Sequence, residues 1–156
     1  MIILFYGQPA SGKTTIADAF CKKMTNDYYY HFSTNKFVRI DGDRWRDVTK
    51  NKDYSKEGRF KNLKGAFDMA IYLANDRFVP VLSFVTPYEE LRKHLRQNSD
   101  RLVEIYLEYS EDRGRNANFA NDFEQPETDD KCLKINTSEL SITECVDKVI
   151  DYVLNN

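Results

Sequence analysis

Gly7, Gly12, Lys13 and Thr14 are spaced so that one short loop can hold an anion. They belong to the run Gly7-Gln8-Pro9-Ala10-Ser11-Gly12-Lys13-Thr14, which has the form G-x-x-x-x-G-K-[ST]. Glycine at both ends lets the backbone turn sharply and approach a ligand closely. The loop's N–H groups then point inward as an anion nest. A helix opening at the loop adds its positive N-terminal end. Lys13 supplies a mobile point charge for outer phosphates, and the Thr14 hydroxyl is a ligand for Mg²⁺. A bound nucleotide is therefore expected, with Mg²⁺ as its cation. Its expected contacts are Gly7, Gln8, Pro9, Ala10, Ser11, Gly12, Lys13, Thr14 and Thr15.

Asp41 and Asp43 are the next residues able to do chemistry. A carboxylate there can take a proton from an attacking hydroxyl or hold water on Mg²⁺. The competing reading is that Asp43 only caps a helix starting at Arg44. Arg46, Arg59 and Asn62 follow. Arginine grips phosphate or sulfate oxygens in pairs, and asparagine suits a ribose or base edge. Read alone, these three are solvated surface residues.

These residues need elements to carry them. Ile2 to Tyr6 is an apolar run before the loop, and Ile16, Ala17, Phe20 and Met24 repeat at helical spacing after it. Asn26-Asp27 is a turn signal, and Tyr28-Tyr29-Tyr30 reads as half-buried packing rather than base stacking. Phe37 to Ile40 predicts a second strand, ending at Asp41-Gly42-Asp43. A short helix is expected over Arg44–Thr49 and a polar loop over Asn51–Gly58. Leu63, Ala66, Phe67, Ala70, Ile71 and Ala74 mark a long helix that Asn75-Asp76 ends. Val79 to Val85 predicts a buried strand, with Pro87 in the first turn of the next helix. Leu91 and Leu95 suit an exposed helix. Leu102–Leu107 and Cys132–Ile135 are further strands, and Ser141 caps a last helix bearing Val146, Val149, Ile150 and Val153.

Strands alternate with helices, which predicts a parallel sheet covered on both sides. The expected class is α/β: a three-layer P-loop NTPase fold with a mainly parallel five-stranded sheet flanked by helices. Ligands in such sheets sit at the carboxyl ends of strands. The loop, Asp41-Gly42-Asp43 and Thr86-Pro87 should meet there. One domain is expected over 1–156, because 156 residues suffice for one core.

Composition limits the partners. Hydrophobic residues make up 41% and charged residues 31%, with a net charge of −2. That balance argues against nucleic acid or an anionic membrane as partner. No stretch has the length of a membrane span, and no signal peptide is visible, so the expected location is cytoplasmic. Cys21, Cys132 and Cys145 fit no disulfide or zinc spacing and read as small buried hydrophobes. His31 and His94 read as surface residues. A homodimer is left open.

The chain resembles the adenylylsulfate (APS) kinases over nearly its whole length. Ile40-Asp41-Gly42-Asp43-Arg44-Trp45-Arg46 matches their L-D-G-D-x-x-R stretch. Arg59-Phe60-Lys61-Asn62-Leu63-Lys64 is similar to their R-x-E-N-I-R, and Tyr54-Ser55 to their Phe-Ser. Ser83-Phe84-Val85-Thr86-Pro87-Tyr88 followed by Arg92, Leu102 to Leu107, and Phe123-Glu124-Gln125-Pro126 resemble further family segments.

The resemblance implies an ATP-dependent kinase of a nucleotide ribose 3′-hydroxyl, with APS as first acceptor. It implies catalytic roles for Lys13, Asp41 and Asp43, with Thr14 and Asp41 on the Mg²⁺ side. Asp43, Arg46, Arg59 and Asn62 would hold the acceptor, and Tyr54 would stack on its base. Thr86 stands where bacterial members carry a serine that can be phosphorylated, and counts as an acceptor contact.

The departures concern the acceptor side. The family's lid is longer and basic, whereas the segment at about 109–130 is short and lacks its motifs. Arg113 and Phe119 are expected to replace part of it, with Arg113 on ATP. The family's glutamate and second arginine around Asn62 are Lys61 and Gly65. Some relatives act on cytidine diphosphoramidate, a second acceptor class to weigh. A 5′-hydroxyl polynucleotide kinase and a non-catalytic nucleotide-binding module are the remaining readings.

Overall fold

The computed structural model describes residues 1–27, 36–114, 119–127 and 131–156. Its strands are β1 (Ile2–Tyr6), β2 (Lys36–Asp41), β3 (Phe78–Phe84), β4 (Leu102–Glu108) and β5 (Cys132–Asn136). Its helices are α1 (Lys13–Asp27), α2 (Gly42–Thr49), α3 (Lys56–Asn75), α4 (Glu89–Gln97) and α5 (Ile142–Asn155). The sheet order is β2-β3-β1-β4-β5, and each pairing is parallel. This is the α/β sheet the alternating pattern predicts.

Strand β1 is central and buried on both faces, which is why it reads as an unbroken apolar run. Its side chains alternate between two cores. Ile3 and Phe5 pack with Ile16, Phe20 and Met24 of α1 and with Val149 and Val153 of α5. Ile2, Leu4 and Tyr6 pack with Leu63, Phe67 and Ala70 of α3 and with Leu91 and Leu95 of α4. The result is three layers whose strand tips face one edge.

Several local readings need correction. Helix α1 runs through Asp27, so the Asn26-Asp27 signal lies in its last turn. Helix α3 already begins at Lys56, because the Ser55 hydroxyl caps it by accepting from the Gly58 N–H at 3.1 Å. Pro87 precedes α4 instead of opening it: Thr86 adopts φ 44°, and that left-handed kink delays the helix to Glu89. Helix α4 is not an exposed helix, since Leu91, Arg92 and Leu95 are buried. Of the cysteines only Cys145 is buried, and Cys21 and Cys132 are half-buried. His94 is half-buried and bonded to Asp68 at 2.9 Å. Ser141 caps α5 in a reciprocal box with Glu144. The Tyr28-Tyr29-Tyr30 and His31 readings fall outside the described residues. No helix among the described residues is long and apolar enough to cross a membrane.

Candidate active site

The loop between β1 and α1 turns where its glycines allow. Gly7 has φ 143° and Gly12 φ 89°. A Cβ on Gly7 would sit 2.1 Å from the Leu107 carbonyl oxygen. Backbone strain and overpacking each cost about 1–3 kcal/mol, so Gly7→Ala should destabilise the fold by more than about 2 kcal/mol. Thermal melting checks this, with nucleotide binding lost in parallel.

Lys13 is nearly buried at the start of α1. Its ammonium donates to the Gln8 carbonyl oxygen at 2.6 Å and to Ser11 Oγ at 3.2 Å. The positive charge is thus preset at the loop's mouth. Gln8 faces away and clamps Ala120: Nε2 donates to the Ala120 carbonyl at 3.0 Å, and Oε1 accepts from the Ala120 N–H at 3.1 Å.

Asp41 ends β2, and both of its carboxylate oxygens are engaged. Oδ1 accepts from the N–H groups of Asp43 and Arg44, at 3.1 and 3.4 Å, so Asp41 caps α2. The capping role that the competing reading gives to Asp43 belongs to Asp41, because the helix starts at Gly42. Oδ2 accepts from Thr14 Oγ1 at 2.7 Å and from Ser83 Oγ at 2.8 Å. Burial alone would raise the Asp41 pKa. The hydrogen bonds from Thr14, Ser83 and the Arg44 and Asp43 backbone outweigh it and hold the carboxyl below its ordinary value. The Asp43 side chain is exposed and faces the same space.

That space is a cavity of about 800 Å³ at the carboxyl edge of the sheet. Pro9, Ala10, Gly12, Lys13, Thr14 and Thr15 of the loop line it. Asp41, Asp43, Arg46, Tyr54, Arg59, Asn62 and Thr86 line the same cavity. The three strand tips do converge. The Arg46 guanidinium lies 4.3 Å from the Tyr54 ring centroid and bonds the Asn51 and Asp53 carbonyls at 3.2 and 3.0 Å. Arg59 Nε donates to the Tyr54 carbonyl at 2.9 Å. Both arginines are half-buried, unlike the solvated residues they suggest when read alone. Two buried polar atoms on this cavity, Asn62 Oδ1 and Thr86 Oγ1, have no partner among the described residues.

Three loop residues do not line the cavity: Gly7, Gln8 and Ser11 shape the loop from behind. Arg113 lies outside the lining as well. Its guanidinium bonds the Ala10 carbonyl and Thr137 Oγ1, both at 3.0 Å, and the Thr137 carbonyl at 3.1 Å. Tyr109 Oη adds a bond to the Pro9 carbonyl at 2.8 Å. The short segment after β4 thus braces the phosphate loop.

Sequence reasoning missed three supporting residues. Arg92 is completely buried; it pairs with Glu89 of its own helix at 2.7 Å and ties α4 to the Thr86 carbonyl at 3.1 Å and the Glu124 carbonyl at 2.8 Å. Arg39 and Ser83 stand behind Asp41. One signal existed: Ser83 is a polar residue in line with Val79 and Val81, on a strand face that is otherwise apolar.

The adenylylsulphate kinase family model matches residues 1–119. The chain belongs to the adenylylsulphate kinase family. Membership makes it an ATP-dependent kinase. The match stops where the short segment after β4 is under way. The adenylyl-sulfate kinase of Halothermothrix orenii is 28% identical, over 97% of this chain and 88% of its own length. A probable adenylyl-sulfate kinase of Pseudomonas aeruginosa is 30% identical over 69% of this chain, though only 48% of its own length is covered. The APS kinase of Mycobacterium tuberculosis, solved with AMPPNP and APS, superposes with a TM-score of 0.81 at 19% identity, covering 98% of this chain and 96% of that one.

Proposed function

We propose that the chain transfers the terminal phosphoryl group of ATP to the ribose 3′-hydroxyl of a nucleotide, with APS as the first acceptor to test. One observation carries this reading: a single cavity is lined by residues of the phosphate loop, by Asp41 and Asp43, and by Arg46, Arg59 and Tyr54. Phosphoryl transfer needs little beyond such positioning and charge.

Thr14 and Asp41 fit Mg²⁺, because a hydroxyl and an ionised carboxylate 2.7 Å apart are hard oxygen donors beside the nest. When bound there, the cation neutralises charge on the transferring phosphoryl group. Lys13 binds the outer phosphate oxygens. Asp41, with both oxygens occupied and its pKa held down, is a weak proton acceptor and fits the cation side. Asp43 is better disposed to take the proton of the attacking hydroxyl. Arg46 and Arg59 attract the acceptor's anionic groups, Tyr54 offers a stacking face, and the unpartnered atoms of Asn62 and Thr86 await ligand hydrogen bonds.

Arg59→Ala should therefore raise KM for the acceptor about 10- to 100-fold, the equivalent of one charge-assisted hydrogen bond, and leave KM for ATP unchanged. Steady-state kinetics with each substrate varied would check it. An unchanged acceptor KM would count against this placement.

The deciding experiment incubates the protein with labelled ATP and a set of 3′-hydroxyl nucleotides, including APS and cytidine diphosphoramidate. Product mobility identifies the acceptor. Cytidine diphosphoramidate belongs in the set because Lys61 and Gly65 replace family residues around Asn62 in sequence. A 5′-hydroxyl oligonucleotide is the opposing arm, and its phosphorylation would overturn the proposal. Tight nucleotide binding without transfer to any acceptor would point to a regulatory module instead.

A further inference from the structure

We infer that Arg39 and Ser83 are positioning residues that fix the carboxylate of Asp41 against Thr14. The inference rests on the kinase reading of the cavity.

The parallel register between β2 and β3 sets Arg39 beside Val81 and Asp41 beside Ser83. Residues two apart on a strand share a face. All four thus stand on the α1 side of the sheet, where Val81 already packs. Arg39 is anchored twice: Nε donates to Asp18 Oδ1 at 2.7 Å and Nη1 to the Val81 carbonyl at 2.7 Å. Its third donor, Nη2, reaches Ser83 Oγ at 3.0 Å. Ser83 Oγ in turn lies 2.8 Å from Asp41 Oδ2.

The direction of these bonds is forced. A guanidinium has donors only, so Ser83 must accept from Arg39. A serine hydroxyl carries one proton, and the ionised carboxylate can only accept. That proton therefore points at Asp41 Oδ2. The same oxygen also accepts from Thr14 at 2.7 Å, which leaves the Thr14 lone pairs turned toward the cavity. Asp41 Oδ1 is held separately by the α2 cap. The chain Arg39–Ser83–Asp41–Thr14 thus fixes one rotamer and one proton arrangement. Arg39 acts only through Ser83, and Ser83 only through Asp41. Supporting groups behind metal-side ligands typically matter about 10- to 100-fold in affinity or activity.

The test measures binding of a fluorescent ADP analogue with and without Mg²⁺, together with kcat and KM. Ser83→Ala keeps both other anchors of Arg39 and should fold normally. It should lower kcat about tenfold and cut the Mg²⁺-dependent gain in ADP affinity about tenfold. Metal-free ADP affinity and KM for the acceptor should stay unchanged. Arg39→Met should show the same pattern, and Arg39→Lys should recover part of it, because an ammonium can still donate to Ser83. If Arg39→Met fails to fold, Ser83→Ala decides alone. A drop in melting temperature and metal-free affinity with the Mg²⁺ gain intact would mean a structural role and overturn the inference. So would wild-type values in Ser83→Ala. A wild-type protein whose ADP binding ignores Mg²⁺ would overturn the kinase reading, and this inference with it.

Discussion

Lys13→Ala is expected to reduce phosphoryl transfer by at least about 10³-fold while leaving the fold in place. Removing one preorganised donor from a developing anion costs about 10²–10³-fold in other enzymes, and here the donor also carries a full charge. The ammonium is almost buried and held on the Gln8 carbonyl at 2.6 Å. It is therefore in place before any phosphate arrives and needs no rearrangement. The loop does not depend on it for its path. Gly7 and Gly12 set that path, and the Gln8 clamp on Ala120, the Tyr109 bond to Pro9 and the Arg113 bond to Ala10 brace it. Because the loop is braced elsewhere, losing the Lys13 ammonium should leave melting nearly unchanged. Lys13→Arg should not rescue, because a planar fork is too wide for a nest closed by Gln8 and Ser11. Single-turnover assays with labelled ATP, alongside thermal melts, separate the two effects. Turnover near wild type in Lys13→Ala would remove the loop from the mechanism.

Much of this site was legible because its signals are local. The phosphate loop announces itself through residue types inside eight positions, and its flanks through short apolar periods. The alternation of strands and helices gave the sheet, and the sheet predicted that three distant tips would meet. What stayed hidden depends on register and on long-range partners. Nothing near Asp41 in sequence names Ser83, which lies 42 positions away and becomes its neighbour only through β2–β3 pairing. Arg92 looks like any charged helix residue until the Glu124 carbonyl reaches it from 32 positions away. The two aspartates of Asp41-Gly42-Asp43 are both able to cap, and only the helix start at Gly42 shows which one does. The family resemblance puts Arg113 on the nucleotide, because it falls where the family carries its basic lid. The Ala10 and Thr137 carbonyls, which no spacing rule connects to it, claim its guanidinium.

Asp41→Asn should abolish transfer for a reason that can be separated from stability. Asparagine caps helices as well as aspartate, so Oδ1 can keep the Asp43 and Arg44 N–H bonds. The change falls on the other atom, where a donor-only NH₂ replaces an acceptor oxygen. Ser83 can adapt, since it has lone pairs for both Arg39 and the new amide. Thr14 cannot adapt without cost: it must turn its proton away and commit a lone pair to the amide. One of the two lone pairs facing the cavity is then replaced by the proton, which a cation held there would meet. Turnover should fall at least about 10³-fold, as for loss of a preorganised charged group. The Mg²⁺-dependent gain in nucleotide affinity should vanish, while metal-free binding persists. Melting at neutral pH should shift by no more than about 2–4 °C, the equivalent of roughly 1 kcal/mol in a domain of this size. Acid titration adds an independent check. A carboxyl whose folded pKa lies below its unfolded value of about 3.9 stabilises the fold above that value and loses this contribution as pH falls through the folded pKa. The asparagine variant should therefore lose less stability than wild type over that acid window. Turnover within tenfold of wild type would show that the Thr14–Asp41 pair does not organise the reaction, whatever the fold of the loop beside it.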